Sequence, residues 1–430
     1  MMLLLLFFLM KRFITFQGDV EKNDVEEERN IKNVHFESLI SIASYAFQDC
    51  KKLKSITFES SHEPSTIEEF AFSGCSGLES VNFYEKFKLI KIGNSAFHGC
   101  IHLKEIKLPN SISYLGSSVF SECKNLKIVE LSNCKINTIN PSSFYCCKCL
   151  EKIEIPDSVE IIGNSAFYNC INLIYVHISN STSLINEIAF FNCRSLKKID
   201  FPNTLQNISK SAFSCCRNLT SIMIPKSVHL ILDSAFSGCS SLVKVDASNS
   251  KIETIANSLF SDCRCLENIT IPNSVSTIGK SAFSNCKKLK TIIIPNSVKF
   301  INKSAFSDCS ELKSVKFSEN SQIENIGEFA FSNCVNLISI YFYDENEPTV
   351  SYDAFQECKK LNVYTLPKYK SNSFGVIIVK KKLNFHNFDF EDTKGRKLQY
   401  GIIIGIVSFI CIVVICVLCL TLFSKKKCLF

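Results

Sequence analysis

Cysteine is the residue type in this sequence with the widest range of chemistry, since thiolates bind zinc, form disulfides and act as nucleophiles. The chain contains 23 cysteines. Fourteen of them recur at intervals of 23 to 25 residues, and these are Cys50, Cys75, Cys100, Cys123, Cys147, Cys170, Cys193, Cys216, Cys239, Cys263, Cys286, Cys309, Cys334 and Cys358. Because each occupies one equivalent position, we expect small buried side chains with free thiols rather than disulfides.

The segment C-C-x-C at residues 146–149 has the close spacing of metal or disulfide ligands. No histidine lies near it, and no second pair follows at the spacing of a zinc finger. The seven histidines form no H-E-x-x-H segment, and the chain has no G-x-S-x-G, P-loop or dinucleotide-binding fingerprint. We therefore predict no metal site, no cofactor and no enzymatic activity.

Five asparagines stand in the N-x-S/T triplet that accepts N-linked glycans. They are Asn180, Asn207, Asn218, Asn268 and Asn302. Such triplets arise by chance in a chain rich in Asn, Ser and Thr, so they support secretion only weakly.

The regular cysteines belong to a sequence repeat, and the repeat determines the fold. A Phe precedes each of the fourteen cysteines by three residues, and a Leu follows each by three. Two aliphatic residues then come at a spacing of two, as Ile292 and Ile294 do after Leu289, which predicts a short strand with one buried face. Seven repeats place Pro directly after this strand, where it removes a hydrogen-bond donor and ends the pairing.

The rest of each repeat returns the chain to the next strand. An aliphatic residue such as Ile278 turns inward, and the following S-A-F-S-x-C segment is interpreted as a helical or 3₁₀ turn whose Phe fills the interior. One such unit cannot cover its own apolar face, so identical neighbours must stack on it. The sequence therefore predicts a β-rich α/β solenoid of about fourteen repeats, with one parallel sheet on its concave face and an inner edge of roughly 65 Å.

The repeat resembles the leucine-rich repeats of BspA-like surface proteins. The residues that carry the resemblance are Ile271-Pro272-Asn273-Ser274-Val275, Ile278-Gly279 and Ser281-Ala282-Phe283-Ser284-Asn285-Cys286-Lys287-Lys288-Leu289. The match covers residues 31–367, most of the chain. It implies a leucine-rich-repeat arc, display at a cell surface, and adhesion to host or matrix components or binding of a partner. The family offers no catalytic motif to transfer.

The side chains best placed for binding are those that point outward from the strand. They lie five and seven residues after each cysteine, from Ser55 and Thr57 in the first repeat to Val363 and Thr365 in the last. These positions vary while the framework repeats, which fits either a recognition surface or a solvated face without a partner. The best candidate patch mixes aromatic and charged groups and consists of Tyr175, His177, Lys198 and Asp200.

The two ends of the chain differ from the repeats in composition. Residues 1–18 begin with MMLLLLFFLM and are interpreted as a signal peptide or an uncleaved apolar leader. The acidic residues 19–30 are interpreted as a linker, residues 31–367 as the solenoid, and residues 368–400 as a cap, with a strand at 376–379, and a juxtamembrane stalk. Residues 401–423 carry no charge and are long enough to span a bilayer core of about 30 Å, which predicts a transmembrane helix before the short basic tail 424–430.

The formal charge of +7 is modest, and the lysines are spread over the repeats without stacking aromatics, which argues against nucleic-acid binding. We predict a single-pass plasma-membrane protein with extracellular repeats and a cytoplasmic tail, which binds protein or glycan and mediates adhesion to a host cell or matrix. One alternative is a co-receptor that signals through partner chains. Another is a tail-anchored intracellular scaffold, since lysines flank the predicted span on both sides and the positive-inside rule does not choose between the orientations.

Overall fold

The computed structural model describes residues 13–26, 30–60, 63–85, 87–379 and 381–382. The chain falls into two units, residues 1–382 and 383–430, and every described residue belongs to the first. The predicted transmembrane segment 401–423 and the tail 424–430 lie outside the described residues. Over the part of the chain that is described, no helix is both long and apolar enough to cross a membrane.

Two parallel ladders of strands form a solenoid, and its first two strands are long enough to belong to both. β1 (Phe13–Val20) pairs in parallel with β2 (Asn33–Ile42), and a short helix α1 (Asn23–Glu26) connects them. The first half of β2 continues into the first ladder and its second half into the second ladder. The paired strands thus begin ahead of residue 31, within the segment that the sequence assigns to the leader and the linker.

The first ladder contains the strand that is predicted after the repeat leucine in every repeat except that of Leu196, together with one two-residue strand beyond the last repeat. Inward and outward residues alternate, as in exposed Lys152, buried Ile153 and exposed Glu154. Where neighbouring strands pair, they are parallel and in register, with Lys152 opposite Tyr175. The strands are β3 (Ser55–Ser60), β5 (Ser80–Phe83), β7 (Glu105–Lys107), β9 (Ile128–Glu130), β11 (Lys152–Glu154), β13 (Tyr175–His177), β16 (Ser221–Met223), β18 (Lys244–Asp246), β20 (Asn268–Thr270), β22 (Thr291–Ile294), β24 (Ser314–Phe317), β26 (Ser339–Phe342), β28 (Asn362–Thr365) and β31 (Lys381–Lys382).

A second parallel ladder lies where the sequence predicts only an inward-turning aliphatic residue. Each repeat contributes a short strand, mostly of two residues, such as Thr277 opposite Phe300 and Ile278 opposite Ile301. Strands this short persist because each is paired with at least one neighbour in the stack, and most are paired on both sides. They are β4 (Ser65–Ile67), β6 (Leu89–Ile92), β8 (Tyr114–Leu115), β10 (Thr138–Ile139), β12 (Ile161–Ile162), β14 (Leu184–Ile185), β15 (Asn207–Ile208), β17 (Leu230–Ile231), β19 (Thr254–Ile255), β21 (Thr277–Ile278), β23 (Phe300–Ile301), β25 (Asn325–Ile326) and β27 (Thr349–Val350).

The corner before each cysteine is not the helical or 3₁₀ turn that the sequence predicts. It is a run of overlapping turns in which two residues have positive φ in nearly every repeat, such as Ser211 at 53° and Cys215 at 62°. The N–H of Cys216 donates within the turn to the carbonyl of Phe213 at 3.2 Å, whereas the N–H of Phe213 donates to the next repeat, to Ala235 at 2.8 Å. In a helix every N–H would point along one axis. Here alternate N–H groups extend the stack, so the described chain is a parallel β-solenoid with almost no helix.

The predicted stack of phenylalanines fills the interior. The fourteen rings from Phe47 to Phe355 are at most 7% exposed. Consecutive ring centroids are 5.0 to 5.8 Å apart, with interplanar angles of 4° to 20°. Offset stacking at this spacing is favourable between aromatic rings, so one continuous core joins all the repeats.

An antiparallel hairpin closes the C-terminal end of the described solenoid, in the region where the sequence predicts a capping strand. Its strands are β29 (Ser373–Phe374) and β30 (Ile377–Ile378). Phe374 is buried, and its ring centroid lies 5.1 Å from that of Phe342 and 6.3 Å from that of Phe355. The last ring of the stack is therefore covered by a further phenylalanine.

Candidate functional site

Tyr175 and His177 point outward from β13, on either side of the buried Val176. The Tyr175 side chain is 43% exposed, and His177 is also exposed. Because β13 is paired in register with β11 and its inward residue is buried, the backbone fixes both side chains on the same face. The structure thus places these two predicted residues side by side, as the period of two requires.

Lys198 and Asp200 lie in the next repeat and are also exposed. The segment 197–201 forms no strand, but the N–H of Lys197 donates to the carbonyl of Ile174 at 3.4 Å, which places it directly beside β13. Lys198 Nζ lies 2.8 Å from Asp200 Oδ2. Both partners are well over half exposed, so this ion pair adds little to stability and its two charges remain available to a ligand.

Tyr175, His177, Lys198 and Asp200 therefore occupy adjacent turns of the first ladder, and we refer to them as the candidate patch. The following turn adds a residue that the sequence analysis did not include in it. Met223 follows His177 and Asp200 in the same outward row and is 69% exposed. Ile128 and Ile293, in other turns of this face, are 47% and 60% exposed. Met223, Ile128 and Ile293 could have been identified in the sequence as apolar residues at outward positions. The candidate patch was chosen for aromatic and charged residues and therefore did not include them.

In the last repeat the residues predicted to point outward are buried. Val363 is fully buried and Thr365 is 2% exposed. The strand begins one residue closer to its cysteine than in the other repeats, because β28 pairs Tyr364 with Tyr341. With a side-chain period of two, a shift of one residue exchanges the two faces. Asn362 and Tyr364 are outward instead, and the Tyr364 ring stacks on Tyr341 with centroids 5.3 Å apart.

The cysteines behave as the repeat predicts. All nineteen that are described are free, and the fourteen repeat cysteines are buried. From Cys75 onward each repeat thiol donates to the carbonyl oxygen of the Phe in the preceding repeat, at 3.0 to 3.4 Å. Burial raises the pKa of Cys170, Cys193 and Cys216 well above the usual value, so these thiols stay protonated at neutral pH and are poor nucleophiles.

The C-C-x-C segment has no metal-binding geometry. Cys146 and Cys147 are buried and Cys149 is partly exposed. The Cys146 thiol accepts a hydrogen bond from Asn169 at 3.8 Å, and Cys147 donates to a backbone carbonyl. No group of three or more His, Cys, Asp or Glu side chains in the described part of the chain is arranged to hold a metal ion.

The five glycosylation acceptors differ in accessibility. Asn180, Asn218 and Asn268 are exposed, whereas Asn207 and Asn302 are partly buried. Asn207 lies in β15, and its side-chain oxygen is buried and has no hydrogen-bond partner within the described part of the chain. Attachment of a glycan at any of the five stays a prediction, and the first three are the sterically easier sites.

The repeats match the family model described as the BspA type leucine-rich repeat region. Six copies of the model cover residues 20–137, 160–290 and 247–362, which together are more than half of the chain. The chain belongs to this family. No curated protein matches the chain.

Solved structures of other leucine-rich repeat proteins are similar to this solenoid. A leucine-rich repeat protein from Bacteroides ovatus is 27% identical with a TM-score of 0.67, over 78% of this chain and 88% of that one. A leucine rich cell surface protein from Faecalibacterium prausnitzii is 24% identical with a TM-score of 0.44, over 72% and 88% of the two chains. The pneumococcal vaccine antigen PcpA is 23% identical with a TM-score of 0.46, over 86% and 95%. The first of these matches supports the BspA-type repeat fold.

Proposed function

We propose that this BspA-type repeat protein is displayed at a cell surface and binds a protein or glycan partner through the outward face of its first ladder, with the candidate patch as the contact site. The observation that carries the proposal is a face of varied, exposed side chains on a repeated and buried framework. A constant framework makes the face rigid, so this protein loses little conformational entropy when it binds a partner. Adhesion to a host cell or matrix is the use of such binding that we expect.

The composition of the patch suits recognition of a polar partner. Tyr175 offers a rigid aromatic surface with a hydroxyl group, and Met223 next to the patch offers an adaptable apolar one. Lys198 and Asp200 supply opposite charges at the rim. Interfaces combine an apolar centre with polar groups at the edge in this way.

We expect that replacing all four patch residues by Ser strongly reduces the attachment of cells that display the full-length chain to a matrix-coated or host-cell surface. Tyr175, His177, Lys198 and Asp200 point away from the core, so the substitutions should leave folding and display intact. The measurement is the fraction of cells that resist washing, normalised to surface expression. We expect a fall of about tenfold or more, since loss of the central contacts of an interface commonly costs more than 1.4 kcal/mol.

A matched control changes the same four residue types elsewhere. Tyr114, Asp157, His229 and Lys251 are exposed and lie off the outward face of the first ladder, so their replacement by Ser removes equal charge and similar area. Attachment that survives in the patch variant as well as in the control would place the contact outside the patch. Attachment lost equally in both would indicate a general effect on folding or display.

One observation favours a second candidate, the tail-anchored intracellular scaffold. All nineteen described cysteines are free thiols, and free thiols persist most readily in a reducing compartment. The two candidates differ in which side of the membrane the repeats face, and the topology experiment at the end of the Discussion separates them.

A further inference from the structure

Lysine and arginine side chains are concentrated along one edge of the solenoid, in the segment between each repeat cysteine and the following strand of the first ladder. We define the basic edge as the positions one, two and four residues after each of the fourteen repeat cysteines. The position three residues after the cysteine is the buried leucine and does not belong to the edge. Seventeen Lys or Arg and four Glu occupy these positions, and all seventeen basic residues are exposed. This leaves 31 of the 48 Lys and Arg and 37 of the 41 Asp and Glu for the rest of the chain. The net positive charge of the protein therefore lies on this edge.

The backbone stacks these positions directly on one another. The N–H of Lys313 donates to the carbonyl of Lys290 at 2.8 Å, and the N–H of Glu311 donates to that of Lys287 at 3.0 Å. Side chains about 23 residues apart in the sequence thus start from backbones about 4.8 Å apart. The lysines are spread along the sequence, which argued against nucleic-acid binding, but they form a continuous row once the repeats stack.

Few of these charges are neutralised by neighbours. Five of the seventeen basic residues form ion pairs with other described residues, two with glutamates of the edge itself and three with an acidic residue that directly precedes the cysteine. The densest unpaired group is Lys287, Lys288, Lys290 and Lys313, none of which has an ion-pair partner among the described residues. Asp262 and Asp308 lie nearby, but Asp262 pairs with Arg264 and Asp308 accepts a hydrogen bond from Asn333.

We propose that the basic edge is a second binding site, which takes a linear sulfated polysaccharide. A row of cations repeated from one turn of the stack to the next matches a chain that carries anionic groups at regular intervals. Most of the row is Lys, a compact point charge that suits many weakly directional contacts, rather than Arg, which suits bidentate recognition of single phosphates. Exposed aliphatic side chains such as Ile174 and Val243 interrupt the row and can lie against the C–H faces of sugar rings.

The same row fits a nucleic acid or an anionic membrane less well. Single-stranded nucleic acids are held by aromatic side chains on which the bases stack, and no position of the basic edge holds Phe, Tyr or Trp. Membrane-surface binding typically uses an amphipathic helix with large apolar residues on one face, and the edge is built of turns and short strands. Both classes of ligand are kept as arms of the test.

The test measures binding of the full-length chain, purified in a non-ionic detergent, to immobilised heparin at physiological salt. The edge variant carries K287Q, K288Q, K290Q and K313Q. The control variant removes four exposed lysines outside the edge, K210Q, K226Q, K251Q and K280Q, and so has the same net charge. We expect the edge variant to bind about tenfold more weakly or worse. Its affinity should also depend less steeply on salt, because a protein with fewer cations displaces fewer counterions from the polysaccharide when it binds. We expect the control variant to stay within about twofold of the parent.

The outcomes decide the proposal in each case. Parent protein that does not bind heparin, or edge and control variants that weaken equally, would overturn it. Tighter binding to duplex or single-stranded DNA than to heparin would assign the edge to nucleic acid instead, and tighter binding to phosphatidylserine vesicles would assign it to a membrane. Equal binding to heparin and to unsulfated hyaluronan would contradict the proposal, because the site would then not select a sulfated polysaccharide. The Ser variant of the candidate patch loses one positive and one negative charge, so it has the same net charge as the parent and should keep its heparin affinity. A failure of this proposal can therefore be told apart from a failure of the proposed function.

Discussion

At the scale of single residues, the protein is organised by one phenylalanine per repeat. Each ring is fully or almost fully buried and stacks on the ring before and after it. Phe213 lies 5.1 Å from Phe190 and 5.5 Å from Phe236, and the edge of Phe201 meets it at 5.5 Å. Each of these phenylalanines stabilises the solenoid in two ways, through the burial of its own ring and through the ring faces against which its neighbours stack.

We expect Phe213→Ala to lower the free energy of unfolding of the solenoid by about 3–5 kcal/mol, because the cavity would leave two ring faces without a partner. Unfolding in urea, followed by circular dichroism, measures the change. Since each repeat contacts only its neighbours, we also expect the transition to broaden or split as the array separates at the damaged turn.

The matched control is Phe300→Ala. Phe300 lies on β23 and is 38% exposed, so its removal leaves no closed cavity, and we expect a cost of about 1 kcal/mol or less. Equal costs for the two substitutions, or a parent-like transition for Phe213→Ala, would contradict the stacked core.

At the scale of the element, the corner turn before each cysteine shows why the sequence predicted a helical turn and which residue contradicts that prediction. The spacing of Ala, Phe and Cys resembles a helix face, which led to the helical prediction. The residue before each cysteine carries the correcting signal. All fourteen have positive φ, and ten of them are Asn, Asp or Gly, the residues that adopt this conformation most readily. A left-handed residue once per repeat cannot belong to a helix.

Ile188 is a misfit in this corner. It has φ of 49° at a position where most repeats have Ser, and a β-branched residue is strained there. We expect Ile188→Asn to be neutral or to stabilise the protein by up to about 1 kcal/mol, because relief of the left-handed conformation offsets the loss of partly buried apolar surface. The midpoint of urea unfolding measures the sign.

Ile171→Asn is the control for this change. Ile171 is also partly buried, but its φ is not positive, so only the apolar surface is lost and we expect destabilisation by about 1 kcal/mol. If the two asparagine variants are destabilised alike, the strain at Ile188 is absent.

At the scale of the whole molecule, the sequence predicts what repeats and misses what depends on stacking. The Phe, Leu and Cys positions, and the outward position of Tyr175 and His177, follow from the period of the repeat and are confirmed. The second ladder was missed because two residues per repeat form strands only when neighbours pair with them. The basic edge was missed because Lys290 and Lys313 are far apart in the sequence and become neighbours only through the stack.

Membrane anchoring through residues 401–423 stays a prediction, and so does the orientation that we expect for such an anchored chain, with the solenoid outside the cell. Impermeant protease added to intact cells that express the full-length chain should remove the repeats, with cleavage at exposed loop residues such as Glu319 and Asn320, and Asn346 and Glu347. The free thiols favour a reducing compartment, but the fourteen repeat cysteines are buried and are therefore compatible with this orientation as well. Burial keeps Cys170 and Cys193 protonated and out of contact with solvent, so they are protected from oxidation in an oxidising compartment. Repeats that survive on sealed cells and are cut only after permeabilisation would instead establish the intracellular scaffold, and the adhesive role would fail with the topology.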